Sequence, residues 1–167
     1  MSRSIIRKAT VMESNELLKL TVNVMNESSM GFVQNSENGF HAFIPLLNNG
    51  SYYLVALKDK MLLGWILIGP DFNPLNTVKT GSIASLYVFP PFRQLGIGKK
   101  LMQAALEDFK GQGYKKILLN VFSGNPAKRL YEQLGFRDVS TVMEKELVEE
   151  KNVEDRVYEE WMSNNVN

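Results

Sequence analysis

Gly96 and Gly98 stand two residues apart in the stretch Arg93-Gln94-Leu95-Gly96-Ile97-Gly98-Lys99-Lys100. A helical pattern follows at once: Ile97, Leu101, Ala105 and Phe109 recur every four residues, with Met102 and Leu106 beside them on the same face. Just upstream, Ile83-Ala84-Ser85-Leu86-Tyr87-Val88 is an apolar, β-rich run that Pro90-Pro91 ends, because proline brings no N–H to a sheet ladder. Strand, glycine turn and helix therefore follow one another. The first N–H groups of a helix lack partners within it, and the helix dipole puts partial positive charge at that end. Glycines clear side chains from the turn, so an anion can rest directly on those N–H groups. With Lys99 and Lys100 adjacent, these residue types in this order suit a phosphate-bearing ligand.

Three phosphate-binding patterns compete for this turn. A dinucleotide fingerprint needs a third glycine where Leu101 stands, and an acid about twenty residues on, where Asn120 and its neighbours offer none. A nucleotide P-loop needs glycine at the place of Arg93 and Ser or Thr at the place of Lys100. Both fail. The third is the Arg-x-x-Gly-x-Gly turn with which acetyltransferases hold the pyrophosphate of coenzyme A. Leu86-Tyr87-Val88, Pro90, Phe92-Arg93, Gly96-Ile97-Gly98 and Leu101 together resemble the central motif of the GNAT N-acetyltransferase superfamily. Farther on, Ala127-Lys128-Arg129-Leu130-Tyr131-Glu132-Gln133-Leu134-Gly135-Phe136 resembles that family's second signature. Resemblance at the level of motifs covers Ser82 to about Phe136, and the order of elements extends it from Ile5 to Leu147.

The resemblance implies an α/β fold with a splayed central mixed β-sheet flanked by helices. It implies acetyl-CoA as cosubstrate, no metal, and direct attack of a neutral primary amine on the thioester carbonyl. The backbone of Leu86, Tyr87 and Val88 would bind the pantetheine arm, with the Val88 N–H as oxyanion donor. The amides from Gln94 through Leu95, Gly96, Ile97 and Gly98 to Lys99, with Arg93 ahead of them, would meet the pyrophosphate. Tyr131 falls where the family places the acid that protonates the leaving thiolate. A phenol, with a pKa of about 10, is a plausible acid for that step. Packing beside the sulfur is its competing role.

Two departures from the family pattern stand out. The pantetheine asparagine is expected seven residues before Tyr131, where Gly124 stands; Asn125 is one step closer and also fits a helix cap. The glutamate common in the central strand or the next one is missing, so the base that deprotonates the amine is unassigned. Asp71, Glu13 and Glu37 are candidates through water. His41 is a lone histidine, for which a structural or solvent-exposed place outweighs catalysis.

The elements that must position these residues can be read in order. Ser4–Ala9 suggests a first strand, and Leu17, Leu20, Val24 and Met25 suggest a helix from about Met12 to Ser28. Gly31–Gly39 is a loop, Phe40–Leu47 a short helix, and Tyr52–Lys58 with Met61–Gly69 a hairpin turning at Asp59-Lys60. Asp71 and Phe72 either cap that hairpin or face the acceptor amine. After the central strand and helix, Gly111 and Gly113 provide a stop, and Ile117–Phe122 is a strand parallel to the central one. Asn125-Pro126 opens a helix over Ala127–Leu134, and Phe136–Leu147 would supply the last strand or hairpin. A single domain is expected over residues 1–147, followed by an acidic amphipathic extension, 148–167, in which Val153, Val157 and Trp161 are four apart. That extension would pack on its own domain or join two copies as a homodimer.

Composition bounds the rest. With 167 residues, 44% hydrophobic and 22% charged, the chain can bury a substantial core. The absence of cysteine excludes disulfides, thiolate metal sites and a cysteine-acyl intermediate. A net charge of +1 gives no drive toward nucleic acid, although Glu144–Glu160 carries −5 and the remainder +6, which suits an anionic cofactor. No stretch reads as a membrane span or a signal peptide, so a cytoplasmic location is expected. The expected activity is N-acetylation of a small-molecule or peptide amine. A non-catalytic acyl-CoA-binding or regulatory module is the alternative, and a donor other than acetyl-CoA a third option.

Overall fold

A computed structural model describes residues 3–34, 38–147 and 153–165. Five strands form one sheet in the order β1-β2-β3-β4-β5: β1 (Ile5–Lys8), β2 (Tyr52–Lys58), β3 (Met61–Pro70), β4 (Thr80–Val88) and β5 (Lys116–Leu119). The first four pair antiparallel, while β4 and β5 run parallel. The helices are α1 (Val11–Asn23), α2 (Met25–Ser28), α3 (Gly39–Asn48), α4 (Ile97–Gly111), α5 (Ala127–Gln133) and α6 (Val153–Asn165). The chain divides into a compact unit ending at Gly135 and a second unit, Phe136–Asn167.

Strand alternation sorts the core onto two faces. Tyr53, Val55, Trp65, Leu67 and Tyr87 meet Leu17 of α1, with Phe43, Leu46 and Leu47 of α3 at the border. The opposite face receives α4, whose Ile97, Leu101, Met102, Ala105 and Phe109 are all buried. That is the stripe expected from their spacing. The β2–β3 turn uses Asp59 and Lys60 at φ 49° and 66°, the two left-handed residues that a tight hairpin requires.

On the α1 face the polar groups are paired. The Thr21 hydroxyl lies 2.9 Å from the Tyr53 hydroxyl, and both residues are buried. Thr21→Val keeps the shape but strands the phenol, and should cost about 1–3 kcal/mol in chemical denaturation. An unchanged midpoint would show that the phenol finds another partner. At the start of α1, Thr10 and Glu13 form a capping box, and Arg7 donates two 2.8 Å bonds to the Glu13 carboxylate. The Arg7 bonds foremost, then the Thr10 amide, lower the Glu13 pKa from its ordinary 4.5 to about 2. A depressed carboxylate stabilises the fold above its unfolded pKa, and that contribution fades as pH falls from 4.5 toward 2. Glu13→Gln should therefore lower the thermal midpoint at pH 6 and leave it unchanged near pH 2; an equal drop at both would point to packing instead.

Three expectations are corrected. The helix expected to run to Ser28 is interrupted at Val24 (φ −93°, ψ 3°), which separates α2 from α1. The strand expected over Ile117–Phe122 ends at Leu119. The last strand or hairpin expected over Phe136–Leu147 does not form, for that stretch carries no regular structure. Its Val139, Val142, Met143 and Leu147 are exposed, so no apolar face of this stretch is buried. The helix expected in the extension is present as α6, with Val157, Tyr158 and Trp161 exposed. Among the described residues no helix is long and apolar enough to cross a membrane.

Candidate active site

The site begins where β4 and β5 part. Their ladder runs only from Thr80↔Lys116 to Ile83↔Leu119, and β4 continues to Val88 without it. Against β3, β4 stays paired to its end, Gly64↔Val88. Gly64 is needed there: a Cβ would lie 2.4 Å from the Tyr87 carbonyl oxygen. Phe89 N–H donates to the Leu63 carbonyl at 3.0 Å, which sets the alternation of bonded and non-bonded pairs back along the strand. By that alternation Leu86 and Val88 occupy non-bonded pairs with β3. Their backbone groups point into the gap on the β5 side, where the Val88 carbonyl accepts from Arg93 Nε at 2.8 Å, while the two N–H groups face a ligand that lies along β4 like another strand.

Pro90–Phe92 forms a short 3₁₀ turn that carries the chain from β4 toward α4. Gln94 and Gly96 then adopt left-handed conformations, φ 59° and 78°. Such alternation of backbone hand turns successive N–H groups toward one point, an anion-binding concavity. Gln94 is the strained member, since an L-residue there costs about 1–2 kcal/mol. No side chain caps the start of α4, and a Cβ on Gly96 would meet nothing within 4 Å. The turn is therefore an open backbone cradle, well matched to a pyrophosphate. Lys99 and Lys100 flank it on the first turn of α4, and the Lys100 ammonium donates to Ser4 Oγ at 3.1 Å.

Three elements converge at Gly98. A Cβ there would lie 3.8 Å from Val88 of β4 and 3.5 Å from Leu130 of α5. Tyr131, the next residue on α5, is 9% exposed, and burial pushes its phenol up to about 12. The end of β4, the glycine turn and α5 thus approach one another through Val88, Gly98 and Leu130. Asn125 acts chiefly as a cap: its Oδ1 accepts from Ala127 N–H at 2.9 Å and its Nδ2 donates to the Ser28 carbonyl at 3.3 Å.

Two of the candidate bases are engaged by neighbours of their own. Glu13 is held by Arg7 and Thr10. Asp71 accepts from Asn76 Nδ2 at 2.7 Å within the loop after β3. His41 is exposed on α3, and Glu37 lies outside the described residues. Glu27, which no motif singled out, is the carboxylate found beside β4. Its Oε2 accepts from the Tyr87 hydroxyl at 2.9 Å and its Oε1 from Arg93 Nη2 at 2.5 Å. Arg93 foremost, with Tyr87 adding to it, holds the Glu27 carboxyl below the ordinary carboxylate range. Among the described residues no group of three or more His, Cys, Asp or Glu side chains is placed to hold a metal ion.

The chain is similar to known proteins. The model of the acetyltransferase (GNAT) family matches residues 16–136. The uncharacterised N-acetyltransferase YycN of Bacillus subtilis is 32% identical over 94 residues, 56% of this chain and 59% of that protein. An N-alpha-acetyltransferase of Sulfurisphaera tokodaii is 34% identical over 98 residues, 54% of this chain and 59% of that protein. The matches thus span little more than half the length of these relatives. A candidate acetyl transferase of known structure from Pyrococcus furiosus superposes with a TM-score of 0.71 at 30% identity, over 87% of this chain and 100% of the other.

Proposed function

This chain belongs to the acetyltransferase (GNAT) family, and from that premise we propose that it transfers the acetyl group of acetyl-CoA directly to a primary amine. The carrying observation is the parted end of β4, with outward backbone groups at Leu86 and Val88, beside the uncapped Gly96 cradle. Acetyl-CoA supplies the activated acyl carbonyl. Leu86 and Val88 hold its pantetheine arm, with Tyr87 between them keeping the strand in register against β3. The amides of Gln94–Lys99 hold the pyrophosphate. Asn125 borders the arm from the start of α5. The Val88 N–H meets the negative charge that develops on the carbonyl oxygen, in a gap where a fixed dipole is worth more than in water. Tyr131 donates its proton toward the departing sulfur.

The chemistry of the base bears on the acceptor. Glu27 is ion-paired and held in its ionised form, a weak base. The amine must then arrive neutral from solution. An α-amino group, with a pKa of about 7.7–8.0, is neutral at pH 7 roughly 200 to 400 times more often than a lysine amine near 10.4. Together with the N-alpha-acetyltransferase relative, this favours a peptide N-terminus over a lysine side chain. A non-catalytic acyl-CoA-binding module is the second reading, supported by the lack of an unpaired carboxylate in the positions of Glu13, Glu27 and Asp71.

The test is free-thiol release from acetyl-CoA against N-terminal peptides, polyamines, amino acids and aminoglycosides. Turnover with peptides of free α-amine, rising with pH toward 8, is the expected result. Tight acetyl-CoA binding without turnover on any amine would favour the binding module.

A further inference from the structure

Tyr87, Arg93 and Glu27 come from three separate segments and close on one another. Arg93 Nε donates to the Val88 carbonyl oxygen at 2.8 Å while its Nη2 reaches Glu27, and its guanidinium carbon lies 5.2 Å from the centre of the Tyr87 ring. The planar fork of the guanidinium serves the carbonyl and the carboxylate at once in a fixed geometry. The peptide carrying the Val88 N–H therefore lies between two tethered points, the Tyr87 side chain and the Val88 carbonyl.

The same segment is fastened on the far side of the gap. Ser28 accepts from Asn125 Nδ2 at 3.3 Å, and Phe32 stacks on Phe122 with ring centres 5.5 Å apart at 29°. Residues 27–32 thus span from the end of β4 to the loop that follows β5. The Glu27 and Arg93 side chains are about half exposed, and an ion pair of that kind adds little to stability. A purely structural role accounts poorly for so specific a set of bonds.

We propose that Glu27 is a positioning residue for acetyl transfer: through Arg93 and Tyr87 it holds the end of β4 and the cofactor turn in one arrangement, with residues 27–32 bridging the gap above them. The inference rests on the acetyltransferase reading of the site. It calls for the full chain, acetyl-CoA, a pool of peptides with free α-amines, and the amide shift of Val88 followed by NMR. Glu27→Ala and Arg93→Lys should each lower kcat about 10- to 100-fold, as small misplacements of reacting groups do. The KM for acetyl-CoA should move far less and the thermal midpoint hardly at all. Glu27→Gln, which keeps the Tyr87 bond, should fall between. The double variant should be no worse than either single one, since the groups act as a unit. The Val88 amide shift induced by acetyl-CoA should differ between wild type and Glu27→Ala. Wild-type kcat in Glu27→Ala, or an unchanged Val88 response, would overturn the inference and leave the acetyltransferase reading standing. Failure of the wild-type chain to bind acetyl-CoA would overturn both.

Discussion

Gly96→Glu is expected to abolish measurable acetyl-CoA binding in a chain that still folds. The position tolerates a side chain sterically, because a Cβ would find nothing within 4 Å. The backbone sits at φ 78°, so any L-residue pays about 1–2 kcal/mol of local strain, well within what a domain of this size survives. The charge does the rest. A carboxylate placed in the cradle faces the pyrophosphate at close range, and one such pair at about 4 Å costs about 4 kcal/mol at a near-surface dielectric, roughly a thousandfold in affinity. Gly96→Ala separates the two effects, since it carries the strain without the charge and should retain most of the affinity. Calorimetry on both variants decides the matter. Equal affinity in Gly96→Glu and wild type would show that the pyrophosphate lies elsewhere.

Tyr131→Phe should lower kcat about a hundredfold or more, the range expected for loss of a positioned acid, with little change in the KM for acetyl-CoA. Burial raises the Tyr131 phenol to about 12. It therefore stays protonated over the whole working range of pH, and a descending alkaline limb below about pH 11 would have to come from another group. Complete proton transfer to a thiolate is uphill for so weak an acid, so the phenol contributes most where charge has built on sulfur and the C–S bond is nearly broken. A full kcat in Tyr131→Phe would remove the acid role and leave the ring as packing.

The parts of the site that sequence exposes are those built from local contacts. Pro90-Pro91 ends β4, the four-residue stripe from Ile97 to Phe109 buries one face of α4, and the two glycines mark the turn between them. Each signal and its structural consequence lie within a few residues of one another. The left-handed Gln94 is not announced in this way, because its side chain carries no preference for that conformation strong enough to read. Glu27 was hidden more deeply. Its partners lie 60 and 66 residues away, and a carboxylate in an amphipathic helical stretch looks like any solvated acid. The break at Val24 that turns α2 toward β4 has no glycine or proline to mark it. The error over Phe136–Leu147 has the opposite origin. Expecting a strand there follows the order of elements in the family, while the stretch itself carries no regular structure and leaves its apolar side chains exposed. Asn125, expected at the pantetheine arm with a helix cap as its competing role, bonds Ala127 N–H at the start of α5, and its second bond to Ser28 depends on the bridge over the gap.

The most direct test of the central claim is to titrate the ¹⁵N-labelled chain with acetyl-CoA and follow the backbone amides. The largest shifts are expected at Leu86, Val88 and the turn from Gln94 to Lys99, with Tyr131 and Asn125 of the adjoining segment following. Shifts confined to another surface, with Val88 and Gly96 unmoved at saturation, would contradict the assignment of the β4–β5 gap as the site of acetyl transfer.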